Sequence, residues 1–223
     1  MQPELTTINI PPKSVHKYSI IWLHGLGADG RDFEGIVPSL NLIAEANTHF
    51  IFPNAPIRSV TINNHMKMRA WFDILATSLE KHTVDNEGIY ESAKHILALI
   101  QKEIDSGIPA ENIMLAGFSQ GGAIALHVGL RYPKKLAGIM ALSTYLPTID
   151  QLSTEGSVEG KATPIFMAHG ILDAVIAIEA GKTSFDTLTN LGYKIEWHDY
   201  LMEHSVCAEE IVHISAFMNQ IFV

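Results

Sequence analysis

Residues 112–131 read NIMLAGFSQGGAIALHVGLR, and the class of the whole fold follows from this stretch. The apolar run Asn112–Ala116 predicts a buried strand, and the spacing of apolar residues in Gln120–Arg131 predicts a helix. Between them, residues 117–122 (GFSQGG) contain G-x-S-x-G, which is typical of a sharp strand-to-helix turn that exposes a nucleophilic serine, here Ser119. A glycine-rich turn with an incidental serine remains an alternative, because short patterns recur by chance.

Short apolar runs alternate with helical stretches on both sides of this turn. This alternation is typical of a mostly parallel sheet with helices on both faces, so we predict an α/β fold. The predicted strands are Thr6–Ile10 at an edge, Tyr18–Leu23, His49–Phe52, Ile113–Phe118, Leu136–Ser143, Pro164–Ala168 and Tyr193–Tyr200. The predicted helices are Glu87–Ser106, Gln120–Arg131, Ile178–Asn190 and Val206–Gln220. No change in composition indicates a linker, and we expect residues 1–223 to form a single domain.

A serine nucleophile needs a base, and the base needs a carboxylate that orients it. Asp173 follows the predicted strand Pro164–Ala168, and His204 follows the last predicted strand. Serine, acid and histidine thus occur in this order at the carboxyl ends of three strands, where open α/β sheets place their sites. We therefore predict a catalytic triad of Ser119, Asp173 and His204.

The acid and the histidine could each have a role unrelated to catalysis. Asp173 could be a helix N-cap, and His204 could be one of 11 histidines that simply lies in a surface loop. Asp199 also lies near the last strand, but it would have to fold back on the segment of His204. Cys207 is expected to be a small buried thiol inside the last helix.

A second glycine-rich motif follows the strand Tyr18–Leu23 and reads HGLGADG over residues 24–30. Its three glycines also fit the dinucleotide-binding pattern G-x-G-x-x-G, but no acidic residue ends the next strand, so we expect no dinucleotide. A strand that ends in His-Gly instead supplies a backbone N–H to an oxyanion hole. We predict that Leu26 provides this donor and that Gln120, directly after the serine, provides the other.

Composition and charge exclude several classes of protein. The 223 residues carry 15 Lys and Arg against 24 Asp and Glu, and the net charge of −9 without a basic run argues against a nucleic-acid partner. One cysteine cannot form an internal disulfide, the amino terminus has no signal-peptide pattern, and no apolar run suits a spanning helix. We therefore expect a cytoplasmic protein without integral membrane association. No motif indicates a metal or another cofactor.

Together, several segments resemble the phospholipase/carboxylesterase family of α/β-hydrolases, which includes the acyl-protein thioesterases. They are residues 24–27 (HGLG), 68–73 (MRAWFD), 117–122 (GFSQGG), 169–170 with 173 (HG and D) and 204–206 (HSV). The resemblance implies an α/β-hydrolase fold without a large cap domain, the same triad and the same oxyanion donors. It also implies that the irregular stretch Asn54–Thr83 lies beside the acyl site, so that Trp71 and Leu75 become candidate acyl contacts.

These observations predict a serine carboxylesterase that acts on short- to medium-chain acyl esters, as a monomer or homodimer. The alternative within the same chemistry is an acyl-protein thioesterase or lysophospholipase that acts on long chains. Its substrate would then be a thioester on an acylated protein or the acyl ester of a lysophospholipid. A protein of this fold that binds a ligand without catalysis is the alternative from another class. The sequence departs from the family at Arg69 and at Ile171 and Leu172, so its substrate preference cannot be transferred from the family.

Overall fold

A seven-stranded sheet forms the centre of the molecule in a computed structural model of the chain, which describes residues 4–75 and 84–222. Its strands lie in the order β1-β3-β2-β6-β7-β8-β9; β1 is antiparallel to β3, and every other neighbouring pair is parallel. The strand bounds are β1 Thr7–Ile10, β2 Tyr18–Leu23, β3 Thr48–Pro53, β4 Ile57–Val60, β5 Met66–Arg69, β6 Ile113–Phe118, β7 Gly138–Leu142, β8 Ile165–Gly170 and β9 Ile195–Tyr200. The predicted mostly parallel sheet is confirmed, and the predicted edge strand is present as β1, whose antiparallel orientation the sequence did not predict.

Six α-helices connect or flank these strands in the described part of the chain. They are α1 Asn86–Asp105, α2 Gln120–Gly129, α3 Leu152–Glu155, α4 Val158–Ala162, α5 Ile178–Asn190 and α6 Ala208–Ile221. The four helices predicted from the sequence correspond to α1, α2, α5 and α6. None of the helices in residues 4–75 and 84–222 combines the length and the apolar character needed to cross a bilayer.

Both faces of the sheet are buried, which explains why its central strands read as unbroken apolar runs. In β2, Ile21 and Leu23 pack into one hydrophobic core with side chains of α1, α2 and α5. Ile20 and Trp22 point to the opposite face and join a second core with α6 and the 3-10 helix Glu34–Leu40. Side chains alternate between the two faces of a strand, so each core receives every second residue.

The stretch Asn54–Thr83 is more ordered than the sequence predicts. Strands β4 and β5 pair as an antiparallel hairpin, with Ile57 opposite Arg69 and Val60 opposite Met66. The expectation of an irregular loop was therefore wrong for residues 57–69. The last part of the stretch, residues 76–83, lies outside the described residues.

One further detail differs from the predictions. Cys207 is not inside α6 but is its N-cap residue, and its side chain is half-buried. A residue at an N-cap has non-helical dihedral angles, so the helix begins two residues later than the apolar spacing suggests.

Glu210, which lies in the first turn of α6, carries a carboxyl group that is buried in the interior. The residue has no exposed surface, and burial raises the pKa of its carboxyl group to about 8, against the opposing effect of the Cys207 backbone. Because this folded-state pKa lies above the ordinary 4.5, the folded protein holds a proton that the unfolded chain releases as pH rises from about 4.5 to about 8. Glu210 therefore destabilises the fold increasingly over this range, by at most about 5 kcal/mol.

We expect Glu210→Gln to be more stable than the wild type at pH 8.5 and close to it at pH 5, because the neutral amide removes the burial penalty. Urea unfolding at several pH values measures the difference in unfolding free energy. Glu209→Gln, at the exposed neighbouring position, should follow the wild-type pH dependence. A constant difference between Glu210→Gln and the wild type across pH 5–8.5 would refute the prediction.

Candidate active site

The three predicted triad residues meet at the carboxyl edge of the sheet. Ser119 follows β6, Asp173 follows β8, and His204 follows β9. The Oγ of Ser119 lies 2.9 Å from Nε2 of His204, and Nδ1 of the same ring lies 2.7 Å from Oδ2 of Asp173. The two bonds place the ring proton on Nδ1, because the ionised carboxylate can only accept, and leave Nε2 free to take the serine proton.

The backbone of Ser119 is held in a conformation that L-residues rarely adopt, with φ of 54° and ψ of −122°. The surroundings enforce it: the Ser119 N–H donates to the Leu142 carbonyl at 2.8 Å, and the Thr144 hydroxyl donates to the Ser119 carbonyl at 2.7 Å. Positions of this kind cost of order 1–3 kcal/mol and occur mainly at functional sites. Ser119 is also the N-cap of α2, so the positive end of the helix dipole lies at its side chain.

Glycine is required on both sides of this turn because the chain passes very close to itself. A Cβ on Gly117 would lie 2.4 Å from the backbone of Gly121, and a Cβ on Gly121 would lie 2.4 Å from the carbonyl oxygen of Leu23. These contacts join β6, α2 and β2 directly. They explain physically why the G-x-S-x-G pattern needs its glycines.

The two predicted oxyanion donors flank the serine. Gln120 is the first residue of α2, a position whose N–H has no acceptor within a helix. In the loop after β2, the Gly27 N–H donates to the Arg69 carbonyl at 2.8 Å. Within residues 4–75 and 84–222, the backbone N–H groups of Leu26 and Gln120 have no hydrogen-bond partner, so both are available to an anionic oxygen.

His24 organises the loop that carries Leu26, a role that the sequence did not predict. It is buried; its Nε2 accepts the Ala55 N–H at 3.0 Å, and its Nδ1 lies 2.7 Å from the Gly25 carbonyl. The ring is therefore neutral with its proton on Nδ1, in agreement with a pKa that burial lowers. The His-Gly motif was a visible signal, but the partner of the ring, 31 residues away, was not.

Trp71 does not line an open acyl site as the resemblance implied. It has no exposed surface, and its indole N–H donates to the His24 carbonyl at 2.9 Å. Trp71 therefore stabilises the loop of His24 through this hydrogen bond. Because Trp71 is fully buried, an acyl chain cannot contact it in this arrangement. Leu75, the other candidate contact, is 38% exposed and immediately precedes the residues that are not described.

The side chain of Gln120 connects the hairpin segment to the nucleophile turn. Its Oε1 accepts the Trp71 N–H at 2.8 Å, and its Nε2 donates to the Phe72 carbonyl at 2.7 Å. All three residues are buried. The sequence identified Gln120 only through its backbone, because nothing local reveals a side-chain bond that spans 49 residues.

We expect Gln120→Ala to lower the unfolding free energy by about 2–6 kcal/mol, because two buried backbone groups lose their partners at about 1–3 kcal/mol each. Its ester turnover should also fall, since the segment that supports the oxyanion loop loosens. Urea unfolding and a p-nitrophenyl ester assay measure the two effects. Gln101→Ala, which removes an exposed amide from α1, is the matched control and should stay within about 0.5 kcal/mol of the wild type. An equally stable Gln120→Ala would contradict this role.

Asp173 serves both functions that the sequence left open. Its Oδ1 accepts the N–H groups of Val175 and Ile176, each at 2.8 Å, while its Oδ2 faces His204. It thus caps a local turn, although the N-cap of α5 itself is Ala177. The two amide bonds fix the plane of the carboxylate and hold Oδ2 towards the imidazole.

A second histidine lies behind this carboxylate. The Nε2 of His169 is 2.9 Å from the Ile176 carbonyl oxygen and 3.4 Å from Oδ2 of Asp173. Burial lowers the pKa of His169, so the ring is neutral and donates its Nε2 proton to the carbonyl. Of the two imidazoles, only that of His204 is therefore hydrogen-bonded to Asp173.

Two other residues near the end of the sheet differ in their relation to the triad. Asp199 accepts from the Trp197 indole at 3.2 Å and is 3.7 Å from the Lys182 ammonium. Phe118, next to the nucleophile, packs against His204 with a ring-centroid separation of 4.7 Å. Within the described residues, Asp199 therefore makes no hydrogen bond or ion pair with the triad. Phe118 forms an apolar wall beside the triad.

Comparison with known proteins identifies the family of this chain. Residues 6–222 match the phospholipase/carboxylesterase family. The chain is 37% identical over 222 residues to acyl-protein thioesterase 1 of Yarrowia lipolytica, covering 98% of both chains. It is 40% identical over 221 residues to acyl-protein thioesterase 1 of Neurospora crassa, covering 95% of this chain and 89% of that protein.

Solved structures show the same architecture. The crystal structure of SOBER1 from Arabidopsis thaliana superposes with a TM-score of 0.87 at 34% identity, covering 93% of this chain and 100% of that one. Acyl-protein thioesterase 2 from Zea mays superposes with a TM-score of 0.85 at 29% identity, over 98% and 99% of the two chains. Since both the sequence match and the fold extend over nearly the whole chain, the protein belongs to the phospholipase/carboxylesterase family of α/β-hydrolases.

Proposed function

We propose that this chain is a serine carboxylesterase that hydrolyses acyl esters through Ser119, His204 and Asp173, working as a single domain. The observation that carries the proposal is the unbroken line of hydrogen bonds from the Ser119 hydroxyl through His204 to the Asp173 carboxylate, at 2.9 and 2.7 Å. Membership of a family of carboxylic ester hydrolases supports it. The backbone of Ser119 is strained, and no structural role of this residue explains the strain. A catalytic role does.

In the first half of the reaction, Ser119 Oγ attacks the acyl carbonyl carbon while its proton moves to Nε2 of His204. The imidazolium that forms is stabilised by Asp173, which holds the other ring proton. The carbonyl oxygen becomes an oxyanion and accepts the N–H groups of Leu26 and Gln120; each such donor is worth about 2.7–4 kcal/mol in the transition state. The intermediate collapses when the ester oxygen takes the proton from Nε2 and leaves as an alcohol.

The second half of the reaction releases the acid. A water molecule transfers a proton to Nε2 of His204 and attacks the acyl-serine carbonyl carbon. The same backbone donors stabilise the second oxyanion. The serine oxygen then leaves, recovers the proton from His204, and frees the carboxylic acid.

Exposed apolar side chains near the triad would receive the acyl group. Ile171 and Leu172 lie between β8 and Asp173 and are 47% and 55% exposed, and Leu201 follows β9 with 80% exposure. Phe118 packs against His204, and the partly exposed Leu75 stays a proposed contact. A rim of a few side chains fits an acyl chain of short to medium length, so we propose such esters as substrates.

Fluorophosphonate labelling tests the proposed nucleophile directly. We expect the purified protein to hydrolyse p-nitrophenyl butyrate and to lose this activity as one equivalent of the reagent attaches. Peptide mass spectrometry should find the adduct on Ser119. Labelling of another residue, or labelling without loss of turnover, would remove Ser119 from the mechanism.

Hydrolysis of long-chain thioesters is the second candidate function. It is favoured by the relatives named acyl-protein thioesterase, which match over almost their full length. A series of p-nitrophenyl esters from acetyl to palmitoyl, together with a palmitoyl thioester, separates the two. We expect kcat/KM to peak between butyryl and octanoyl esters; a steady rise to palmitoyl, or a preference for the thioester, would establish the second function instead.

We further propose that the protein works in the cytoplasm, since its one cysteine needs no oxidising compartment.

Cys207 lies three residues after His204 but is the N-cap of α6 and has no strained turn to expose it as a nucleophile.

A further inference from the structure

Two histidines and a glutamate meet at the edge of the sheet opposite the triad. His16 precedes β2, His49 is the second residue of β3, and Glu103 lies in the last turns of α1. We call these three residues the His–Glu cluster. It lies at the amino-terminal ends of the parallel strands, so a full strand, about 20 Å for six residues, separates it from Ser119.

The spacing within the cluster suits a tetrahedral metal ion. Oε2 of Glu103 is 3.2 Å from Nδ1 of His49 and 3.5 Å from Nε2 of His16. Ligands that bind zinc at about 2.0–2.1 Å in a tetrahedron lie about 3.3 Å from one another. One ligand atom from each residue lies within 4.8 Å of the others, so a small closure of the two imidazoles would complete the set.

The hydrogen bonds of His49 leave a place for a cation. Its Nε2 lies 3.2 Å from Oδ1 of Asn9, and its Nδ1 lies 3.2 Å from the Glu103 carboxylate. Both neighbours are acceptors, and a neutral imidazole carries only one N–H. If that proton faces Asn9, the lone pair of Nδ1 points at an anionic oxygen, an arrangement that either a second ring proton or a bound metal ion relieves.

The carboxylate is already oriented for this role. The Ser19 hydroxyl has no exposed surface and donates to Oε2 of Glu103 at 2.6 Å, while Nε2 of His16 lies 3.0 Å from the same hydroxyl. Such an outer partner fixes a metal ligand in place. Because the hydroxyl proton is directed to Glu103, Nε2 of His16 donates to the hydroxyl oxygen, and a metal ion that binds this nitrogen releases its proton to solvent. The side chains of His16 and His49 are 26% and 20% exposed, so an ion can reach the cluster from solvent.

We propose that the His–Glu cluster is a site for a divalent transition-metal ion of the zinc type, bound by Nε2 of His16, Nδ1 of His49 and Oε2 of Glu103, with water as the fourth ligand. Two imidazoles favour zinc over calcium or magnesium, which prefer oxygen ligands. The bound ion joins the segment before β2 to β3 and α1. The site is therefore structural or regulatory and is separate from the ester chemistry.

Zinc titration of the chelator-treated full chain tests this site. By calorimetry we expect one equivalent of Zn²⁺ to bind, and the melting temperature should rise by about 5–10 °C when free zinc exceeds the Kd 100-fold. The variants His16→Gln and His49→Gln each remove one ligand from a half-buried position. Each should weaken binding at least about 10–100-fold, the loss that even an outer partner of a metal ligand causes.

His204→Gln is the matched control, because the triad is another place where a histidine meets a carboxylate. It should bind zinc within about twofold of the wild type. The proposal is overturned if the wild type binds no zinc below 1 mM, or if His204→Gln loses the binding while the two cluster variants retain it. Since the readouts are heat and melting temperature, this result is independent of whether the protein hydrolyses esters.

Discussion

Replacing Ser119 by alanine is expected to lower kcat for p-nitrophenyl butyrate by about 10⁴–10⁶-fold, the loss seen when a triad nucleophile is removed. The reason is geometric as well as chemical. His204 and Asp173 remain in place, but no atom within reach of Nε2 can form the acyl-enzyme. Water attack that is assisted only by the Leu26 and Gln120 amides would provide the residual rate.

Ser205→Ala is the matched control for this variant. Ser205 is an exposed hydroxyl directly beside His204, so its loss tests whether any serine near the base suffices. We expect it to retain wild-type turnover. The assay should be accompanied by urea unfolding, because alanine in the strained conformation at position 119 also affects stability. A folded Ser119→Ala that keeps even one tenth of the wild-type kcat would rule out the proposed nucleophile.

Most of the candidate site could be predicted from the residues that follow the strands. Ser119, Asp173 and His204 each follow a short apolar run, and parallel strands bring their carboxyl ends to one edge. That argument needs only local patterns and the order of elements. It did not reveal that both β7 and β8 lie between β6 and β9, so that the loop of His204 crosses two strands to reach Ser119.

The hairpin of β4 and β5 could not be predicted from local pattern. Each strand has only four residues, and the turn residues with positive φ are Asn64 and His65 in place of the glycine that usually indicates a tight hairpin. The register is stabilised instead by distant contacts: the Thr61 N–H and hydroxyl both donate to Asp73. Local sequence patterns contain none of this information.

The role of Trp71 in stabilising the oxyanion loop also could not be predicted, because it depends on contacts between residues that are far apart in the sequence. The family resemblance implies that Trp71 is a candidate acyl contact, because its segment lies beside the acyl site in that family. Its indole instead reaches the His24 carbonyl, 47 residues away in the sequence. Burial and long-range hydrogen bonding decide such roles, and both depend on tertiary packing rather than on residue type.

Replacing Asp173 by asparagine is expected to lower kcat by about 10⁴-fold while leaving the fold intact. The amide is isosteric, and its oxygen can still accept the Val175 and Ile176 N–H groups at the position of Oδ1. Its NH₂ group then takes the place of Oδ2 and faces Nδ1 of His204. Since this amide donates where the carboxylate accepted, Nδ1 has to become the acceptor, and the ring proton moves to Nε2.

The resulting tautomer explains the size of the effect. An Nε2 that already carries a proton cannot accept one from Ser119, so the hydroxyl is not activated although all distances are preserved. Asp199→Asn makes the same chemical change at the aspartate near the end of β9 and should keep wild-type kcat. The assay should measure kcat and KM separately, because the loss should fall on kcat with KM nearly unchanged. A normal kcat for Asp173→Asn, or an equal loss for Asp199→Asn, would show that the 2.7 Å bond between Asp173 and His204 does not determine the state of the base.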